Sequence, residues 1–329
     1  MNKILLPMLA TLVAAGCGGG GGSDDSNNAT GNQDSGGTAP VSVDVSVPPS
    51  EVPNGTDDLQ ACVAIDSVSI KDLSGTIVEW TTKSMSDPYG VNSKQCIPAD
   101  SEIPVDNDGY PKFIVIDLYD ITGIDLKDLI AEQLVPVGEY TSMALSVLQG
   151  SYGDFLDTPY SYVGNPVDKM KMDIVDDLTF DGLNINIDVP EKFIFTFDLR
   201  SLLQLVDQAY ILKSEGFRVA NEALSGTILG DVDLSSCVNK TDDSYVYLYE
   251  SDSKYGDLGS AYAPVMTAKV SSDDQYKMEH VPQGNYDVVL VCDALLDLPN
   301  QIDLDIDLDG APNDKGHYIK AGEEHYLHL

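Results

Sequence analysis

The sequence predicts a mostly β protein with two β-sandwich domains behind a flexible tether, and three observations support this. After residue 58 most apolar runs are short, rich in Val, Ile, Tyr, Phe and Thr, and bounded by Gly, Pro, Asn or Asp, as is typical of strands. The pattern V-P-x-G-x-Y occurs at residues 135–140 and again at 281–286, each time between two such runs. Residues 18–58 are rich in Gly, Ser, Asn and Asp and contain no aromatic residue.

The N-terminus has the form of a secretory signal. Lys3 precedes an apolar run, residues 4–15, that is too short to span a bilayer. The run ends in LVAAGC, which resembles the lipobox of bacterial lipoproteins, in which the cysteine is acylated and becomes the new N-terminus. The resemblance implies that Cys17 holds the protein on a membrane through several acyl chains. Gly18 follows in place of Asp, which favours the outer membrane and leaves open which side the protein faces.

Residues 18–58 predict a disordered tether, because their composition cannot bury enough apolar surface to offset chain entropy. Some forty residues of this kind have a root-mean-square reach of about 35 Å. The alternation of Val41, Val43, Val45 and Val47 leaves open a strand added to a sheet edge, although the flanking prolines argue against it.

The folded body has room for two domains of ordinary size. We interpret each V-P-x-G-x-Y copy as a turn, set by its Pro and Gly, that leads into a half-buried strand. The new strand that opens after Gly226 places the boundary there, which gives domains 59–225 and 226–329.

Helical signals are few. Residues 124–133 predict one short helix with Asp125 as its N-cap, and residues 201–208 predict another turn or two.

The chain is strongly acidic, with 18 Lys and Arg against 54 Asp and Glu and a net charge of −36. Such a charge repels nucleic acids and anionic lipid, so the membrane is a partner only through the lipid anchor. Solubility is the simplest interpretation of the acidity, and cation binding is the alternative.

Four cysteines remain after Cys17, and an even number in an exported protein predicts disulfides. Three pairings are open. Because the domain boundary separates the cysteines into two pairs, one bridge per domain is the economical choice: Cys62 with Cys96 and Cys237 with Cys292. Each bridge would stabilise its domain by about 3 to 4 kcal/mol. No pair has C-x-x-C spacing, which argues against a redox or zinc role.

Two stretches resemble known families. Residues 59–232 contain VAIDSVSIKD, VPVGEYTSMAL, FIFTFDLRSLL and YILKSEGFRVANEALSGTILGDVD, and they resemble the bacterial domain-of-unknown-function family 4382 of exported lipoproteins. The family's F-D-L-R stands here at residues 197–200, whereas Ser214 occupies the place of a usual proline. No activity is established for that family, so the resemblance implies a fold and a cellular address but no reaction.

Residues 226–329 contain GTILGDVD, YVYLYE, YKMEHVPQGNYDVVLVC and IKAGEEHYLHL. They resemble the prealbumin-like or carboxypeptidase-regulatory-like sandwich, which is classed with carbohydrate-binding-like folds. The two resemblances together imply antiparallel, Greek-key sandwiches of immunoglobulin or prealbumin type. Fold alone does not decide between a spacer and a binding unit.

Two candidate binding sites follow from side-chain spacing. Tyr245, Tyr247 and Tyr249 alternate along one strand, so their rings share a face that is either a sugar-stacking platform or a surface covered by a loop or the neighbouring domain. A candidate calcium loop has its carboxylates and amide at alternating positions followed by Gly310: Asp305, Asp307, Asp309 and Asn313. Position twelve of that loop is Gly316 instead of the bidentate Glu, so an edge strand or exposed turn is the alternative.

No catalytic motif of the nucleophile-elbow, H-E-x-x-H, P-loop or G-x-G-x-x-G kind occurs. His325 and His328 are three apart on a predicted strand and should point to opposite faces. We therefore expect a non-enzymatic lipoprotein of the outer membrane that acts in binding or adhesion, with carbohydrate as a candidate ligand and calcium as the one candidate cofactor. The alternatives are a structural or assembly subunit that binds another envelope protein and, third, a hydrolase.

Overall fold

The computed structural model describes residues 37–49, 59–122, 126–150, 158–165, 168–174, 177–186, 189–207, 209–237, 244–251, 253–302 and 314–329. Strands dominate these residues, and they pair into four sheets. The prediction of a mostly β protein with sandwich architecture is confirmed.

The first sandwich comprises thirteen strands and a one-turn helix within the described ranges. They are β1 (Thr38–Ser46), β2 (Gln60–Asp72), β3 (Ile77–Thr81), β4 (Ile114–Asp117), β5 (Lys127–Pro136), β6 (Gly138–Val147), β7 (Tyr162–Gly164), β8 (Lys169–Ile174), β9 (Leu178–Ile185), β10 (Glu191–Phe197), α1 (Leu199–Leu202), β11 (Leu203–Val206), β12 (Ala209–Leu212) and β13 (Phe217–Asn221). One sheet has the order β13-β10-β1-β5, and the other has the order β11-β12-β8-β7-β2-β6-β9, with β3 and β4 also paired to β2. Valines of β1, isoleucines of β2 and phenylalanines of β10 meet in one apolar core.

The second sandwich consists of β14 (Ser225–Asp231), β15 (Tyr245–Glu250), β16 (Met266–Lys269), β17 (Gln275–Pro282), β18 (Gly284–Val291), β19 (Asp314–Ile319) and β20 (Glu324–His328). Its sheets have the orders β17-β14-β20 and β16-β15-β18-β19. Among the described residues, no strand pair joins β1–β13 to β14–β20. Both sandwiches belong to one compact unit, Gly36–Leu329.

The sheets are not purely antiparallel, in contrast to the prediction. Three pairs are parallel: β1 with β10, β8 with β12, and β14 with β20. Parallel strands require a long connection between them, and in each of these pairs the strands are far apart in sequence. Local sequence patterns are insensitive to such distant pairings.

The prediction that the tether extends to residue 58 is wrong for Thr38–Ser46. This segment is β1, which lies between β10 and β5 in the middle of its sheet. Val41, Val43 and Val45 are at most 1% exposed and belong to the core of the first sandwich. The alternating valines indicated this strand, but the composition of the surrounding residues favoured a tether.

The helix predicted at residues 124–133 is also wrong, because Lys127–Pro136 is β5; its proposed N-cap, Asp125, lies outside the described residues. Between the pairs Val41–Gln133 and Val43–Ile130, the single residue Ser42 of β1 faces two residues of β5. This β-bulge interrupts the alternation of buried and exposed residues in β5. The apolar spacing therefore resembled that of a helix. Of residues 201–208, only 201 and 202 are helical, as the end of α1, and Leu203–Val206 is β11, so the helical turns predicted there are mostly wrong.

The two V-P-x-G-x-Y copies occupy equivalent places. In the first, β5 belongs to one sheet of its sandwich and β6 to the other; in the second, β17 and β18 are divided in the same way. Each copy is thus a corner that carries the chain between facing sheets. The Tyr286 ring packs so closely on Gly284 that a Cβ there would lie 3.2 Å from a ring carbon, and the Tyr140 hydroxyl donates a 2.6 Å hydrogen bond to the carbonyl of Pro136.

Candidate functional site

The three tyrosines of β15 are buried. Tyr245, Tyr247 and Tyr249 lie on the face of the sheet opposite the sandwich core, yet each is at most 1% exposed. The Tyr247 hydroxyl donates to the carboxylate of Asp297 (2.7 Å), and the Tyr249 hydroxyl donates to the carbonyl of Gly256 (2.6 Å). A sugar-stacking platform of these rings is therefore a wrong prediction. The alternative of a covered face is correct, because neighbouring segments bury the rings and bind their hydroxyls.

Part of that cover comes from the first sandwich. Arg200 of α1 places its guanidinium carbon 4.0 Å from the ring centre of Tyr245 and 5.6 Å from that of Tyr247. Its Nη2 donates to the carbonyls of Ala294 and, at 3.5 Å, of Asp297. A desolvated guanidinium on an aromatic face is worth about 2 kcal/mol. Arg200 belongs to the first sandwich and contacts tyrosine rings and backbone carbonyls of the second, so it links the two.

A second link lies beside it. Asp198 is the N-cap of α1, and its side chain accepts a hydrogen bond from the backbone N–H of Arg200. The other carboxylate oxygen accepts a 2.9 Å hydrogen bond from the Thr267 hydroxyl of the second sandwich. The two charged residues of the F-D-L-R tetrapeptide thus lie at the contact between the sandwiches, which we call the seam.

A cleft of about 510 Å³ opens at the seam next to Arg200. It is lined by side chains of α1 and β11, by Tyr210 and Tyr245, and by the segment 295–301. Two buried polar atoms in the lining have no hydrogen-bond partner among the described residues: Nη1 of Arg200 and Oε1 of Gln204. The Gln204 amide nitrogen donates to the carbonyl of Pro299 (3.3 Å), which fixes the orientation of its free oxygen. We call this the Arg200 cleft.

Burial determines the charge states around the cleft. It raises the pKa of Tyr247 well above its usual value, so the hydroxyl stays protonated and donates to Asp297. Burial also raises the pKa of Asp297, although the Tyr247 hydroxyl opposes that shift. Burial acts to lower the pKa of Arg200, but Tyr247, Tyr245 and Asp198 outweigh it and raise the value. The cleft therefore presents a permanent cation on an aromatic wall.

Both predicted disulfides are present, Cys62 with Cys96 and Cys237 with Cys292. The carboxylate of Asp117 lies close to the sulfurs of the first bridge. Sulfurs bonded to each other are not thiolates, so this group is not a metal site. The second bridge holds the chain directly after β18, where the segment that lines the Arg200 cleft begins.

Several predicted residues lie outside the described part of the chain. These are the lipidation candidate Cys17 and the candidate calcium ligands Asp305, Asp307, Asp309 and Asn313. Lipidation and calcium binding therefore stay predictions. In the described ranges, no helix has both the length and the apolar character that a membrane span requires.

The described histidines of the C-terminal strand do not form a catalytic group. His325 accepts a hydrogen bond from the backbone N–H of Lys320, and His328 pairs with Asp231, which also binds the hydroxyl of Tyr326. Neither ring is hydrogen-bonded to a serine or cysteine in the part of the chain that the structure describes. The arrangement offers no activated nucleophile at these two residues.

Comparison with known proteins adds little to this geometry. No protein-family model and no curated protein matches the chain, so the resemblances to family 4382 and to the prealbumin-like sandwich stay predictions. Among solved structures, the Bacillus anthracis TIE protein is 12% identical, with 88% of this chain and 34% of that chain covered and a TM-score of 0.20. The major pilin subunit of Bacillus cereus is 10% identical (83% and 59% covered, TM-score 0.17). The fimbrial anchor protein Mfa2 from Porphyromonas gingivalis is 10% identical (79% and 80% covered, TM-score 0.18).

The chain thus spans about a third of the first of these proteins and about three fifths of the second. TM-scores of this size carry no inference about function.

The residues that define the Arg200 cleft were not recognised as a site from sequence. In the sequence, Arg200 stands out only as part of the F-D-L-R pattern, and no motif marks Gln204 or Asp297. One signal was available. In FIFTFDLRSLL a charged pair interrupts a run whose other members are mostly apolar, and such a pair must find buried partners.

Proposed function

We propose that this protein is a non-enzymatic, lipid-anchored component of the bacterial envelope that binds its ligand in the Arg200 cleft. The observation that supports a binding role is the presence of two buried polar atoms without partners, Arg200 Nη1 and Gln204 Oε1, in the lining of one cleft. Buried polar groups in folded proteins are nearly always hydrogen-bonded, so an unpaired donor and an unpaired acceptor in the lining of one cleft favour a ligand. The volume of about 510 Å³ is within the range of small-molecule sites.

The ligand that best fits this pair is a carbohydrate. A hydroxyl group both donates and accepts hydrogen bonds, so neighbouring sugar hydroxyls satisfy the guanidinium N–H and the amide oxygen together. Tyr210 and Tyr245 also line the cleft, but both rings are buried, so the proposed recognition of the sugar depends on hydrogen bonds and not on ring stacking. The proposed carbohydrate site is therefore the cleft beside the buried tyrosine face and not that face itself.

Glycan-array binding of the purified protein tests this proposal. We expect Gln204→Met, which keeps the length of the side chain and removes its amide, to lower binding of the captured glycan by about tenfold, the value of one or two hydrogen bonds. Gln149→Met is the matched control, because the Gln149 amide also donates to a backbone carbonyl but is exposed and far along the chain from the cleft lining. Equal binding by both variants and the unaltered protein would contradict the proposal.

A second candidate function is that of an assembly subunit that docks another envelope protein. It is favoured by large apolar side chains around the same cleft: Leu205, Leu295 and Leu298 are 40% to 47% exposed. Co-purification of one envelope protein that is lost in Leu205→Glu, without a glycan signal, would support this candidate over the first.

The lipid anchor is part of the proposal and has its own test. We expect Cys17→Ala to move the protein from the membrane fraction to the soluble fraction, since the thiol that accepts the acyl chains is gone. The measurement is fractionation of the source cells followed by detection of the protein. Cys17→Ala protein that stays with the membranes would disprove anchoring at this residue, and separation of inner from outer membranes tests the predicted location.

A further inference from the structure

A second cleft lies at the seam, apart from the Arg200 cleft. Its volume is about 220 Å³, and its walls come from β13 of the first sandwich and from β15, β17 and the region of Val265 and Met266 of the second. Most of the lining is apolar, and Leu248, Val265, Met266 and Val281 contribute to it. The ionisable side chains in the lining are those of Arg218, Glu250, His280 and Tyr286. We call this the Arg218 cleft.

Arg218 has an unusual environment for a cation. Its Nη1 donates to the carbonyl of Val265, whereas Nη2 is buried and has no hydrogen-bond partner among the described residues. No carboxylate of the described chain lies within ion-pair distance of it. The electrostatic support comes from Asp198, whose carboxylate is already bonded to Thr267 and to the backbone of Arg200. Burial lowers the pKa of Arg218, and the charges of Asp198 and Tyr286 oppose that shift.

A buried guanidinium without a carboxylate partner is rare in a chain with 54 acidic residues. Arginine does not lose its proton in proteins, so the cost of burial stays until an acceptor arrives. Carboxylate and phosphate are the groups whose geometry matches the guanidinium fork.

The backbone beside the cleft is also distorted. Between Gly226 and Ile228, the single residue Thr227 of β14 faces two residues of β17, Glu279 and His280. His280 has a φ of 56°, in the left-handed region that side chains rarely adopt. This β-bulge places His280 in the lining of the cleft. Bulges and strained residues are over-represented next to functional sites. Burial lowers the pKa of His280, so the ring is neutral at pH 7 and adds no second positive charge.

We propose that the Arg218 cleft binds a small molecule that has one carboxylate and a short apolar body, with the carboxylate against Nη2 of Arg218. The apolar lining accommodates the body of the ligand, and the cleft volume, below that of sites for drug-sized molecules, limits its length. A monoanion is preferred to a phosphate dianion, because there is a single cation and Glu250 is exposed at the cleft. This site is independent of carbohydrate binding in the Arg200 cleft.

Methionine methyl NMR of the full-length protein tests the proposal, with hexanoate, hexanol and hexylamine as probes at pH 7. Met266 lines the cleft, and Met143 in the core of the first sandwich is the internal reference. We expect hexanoate to shift the Met266 signal without moving Met143. We expect half-saturation at a concentration about tenfold lower than for hexanol, because only the carboxylate forms charge-assisted hydrogen bonds. Hexylamine should bind more weakly still.

Arg218→Leu should remove the preference for hexanoate over hexanol. The protein should still fold, because removal of an unpaired buried charge is neutral or stabilising. Lys171→Leu is the matched control, since it makes the same change of charge at an exposed residue of β8 and should leave the preference unchanged. If Arg218→Leu fails to fold, the comparison of the three probes on the unaltered protein still tests whether the cleft prefers a carboxylate. Equal binding of hexanoate and hexanol, no Met266 shift into the millimolar range, or an undiminished preference in Arg218→Leu would each overturn the proposal.

Discussion

Val43→Asp is expected to abolish the folding of the first sandwich. Val43 is fully buried in β1, where it pairs with Phe193 of β10 and faces the shared core. An aspartate there would place an unpaired carboxylate in an apolar core, a change that costs about 4 kcal/mol or more. Since whole proteins are stable by only about 5 to 15 kcal/mol, most of the stability would be lost. The measurement is thermal unfolding by far-UV circular dichroism together with limited proteolysis.

Two further variants sharpen this experiment. Val43→Ala, which removes two methyl groups, should cost about 2 kcal/mol. Thr38→Asp introduces the same charge at the exposed start of β1 and should change stability by less than about 0.5 kcal/mol. If Thr38–Ser46 belonged to a disordered tether, all three variants would melt like the unaltered protein, and that result would refute the position of β1.

Arg200→Ala is expected to uncouple the two sandwiches. The change removes the guanidinium from the rings of Tyr245 and Tyr247 and leaves the carbonyls of Ala294 and Asp297 without this donor. These losses sum to about 3 to 5 kcal/mol. The loss of coupling should be visible when unfolding in guanidinium chloride is followed by two signals, tryptophan fluorescence and far-UV circular dichroism. Trp80, the only tryptophan of the chain, lies in the first core and reports on that sandwich, whereas far-UV circular dichroism follows both.

In the unaltered protein the two signals should change at the same denaturant concentration, and in Arg200→Ala they should separate. Arg200→Lys keeps the charge but lacks the planar fork, so an intermediate loss is expected. Lys171→Ala removes a cation that pairs only with the exposed Asp173 among the described residues and should have almost no effect. Coincident, unshifted transitions in Arg200→Ala would show that the seam does not depend on this residue.

Strand patterns in the sequence anticipated much of this fold. Val246 and Leu248 alternate with Tyr245, Tyr247 and Tyr249, and the structure has these two sets on opposite faces of β15. The repeated turn was also recognised correctly, since Pro and Gly restrict the backbone by local sterics alone. The one bridge per sandwich followed from an even cysteine count and the boundary, without any knowledge of distances.

The wrong predictions concern segments whose structure depends on contacts with distant parts of the chain. The bulge opposite β1 disguised β5 as a helix, and the partners of β1 itself, β5 and β10, lie about 90 and 150 residues further along the chain. The tyrosine face was ambiguous for the same reason, because Arg200 and the residues around Asp297 cover it.

Local sequence patterns suffice to predict the strand-rich class, the alternation within strands, the corners between sheets and the number of disulfides, because these depend on the pleat, on turn stereochemistry and on residue counts. Contacts between distant segments establish that β1 is a central strand, that the tyrosine face is covered and that Arg200 and Arg218 lie in two clefts at the seam. Burial and hydrogen-bond satisfaction are properties of contacts between residues remote in sequence, and a local pattern does not contain them.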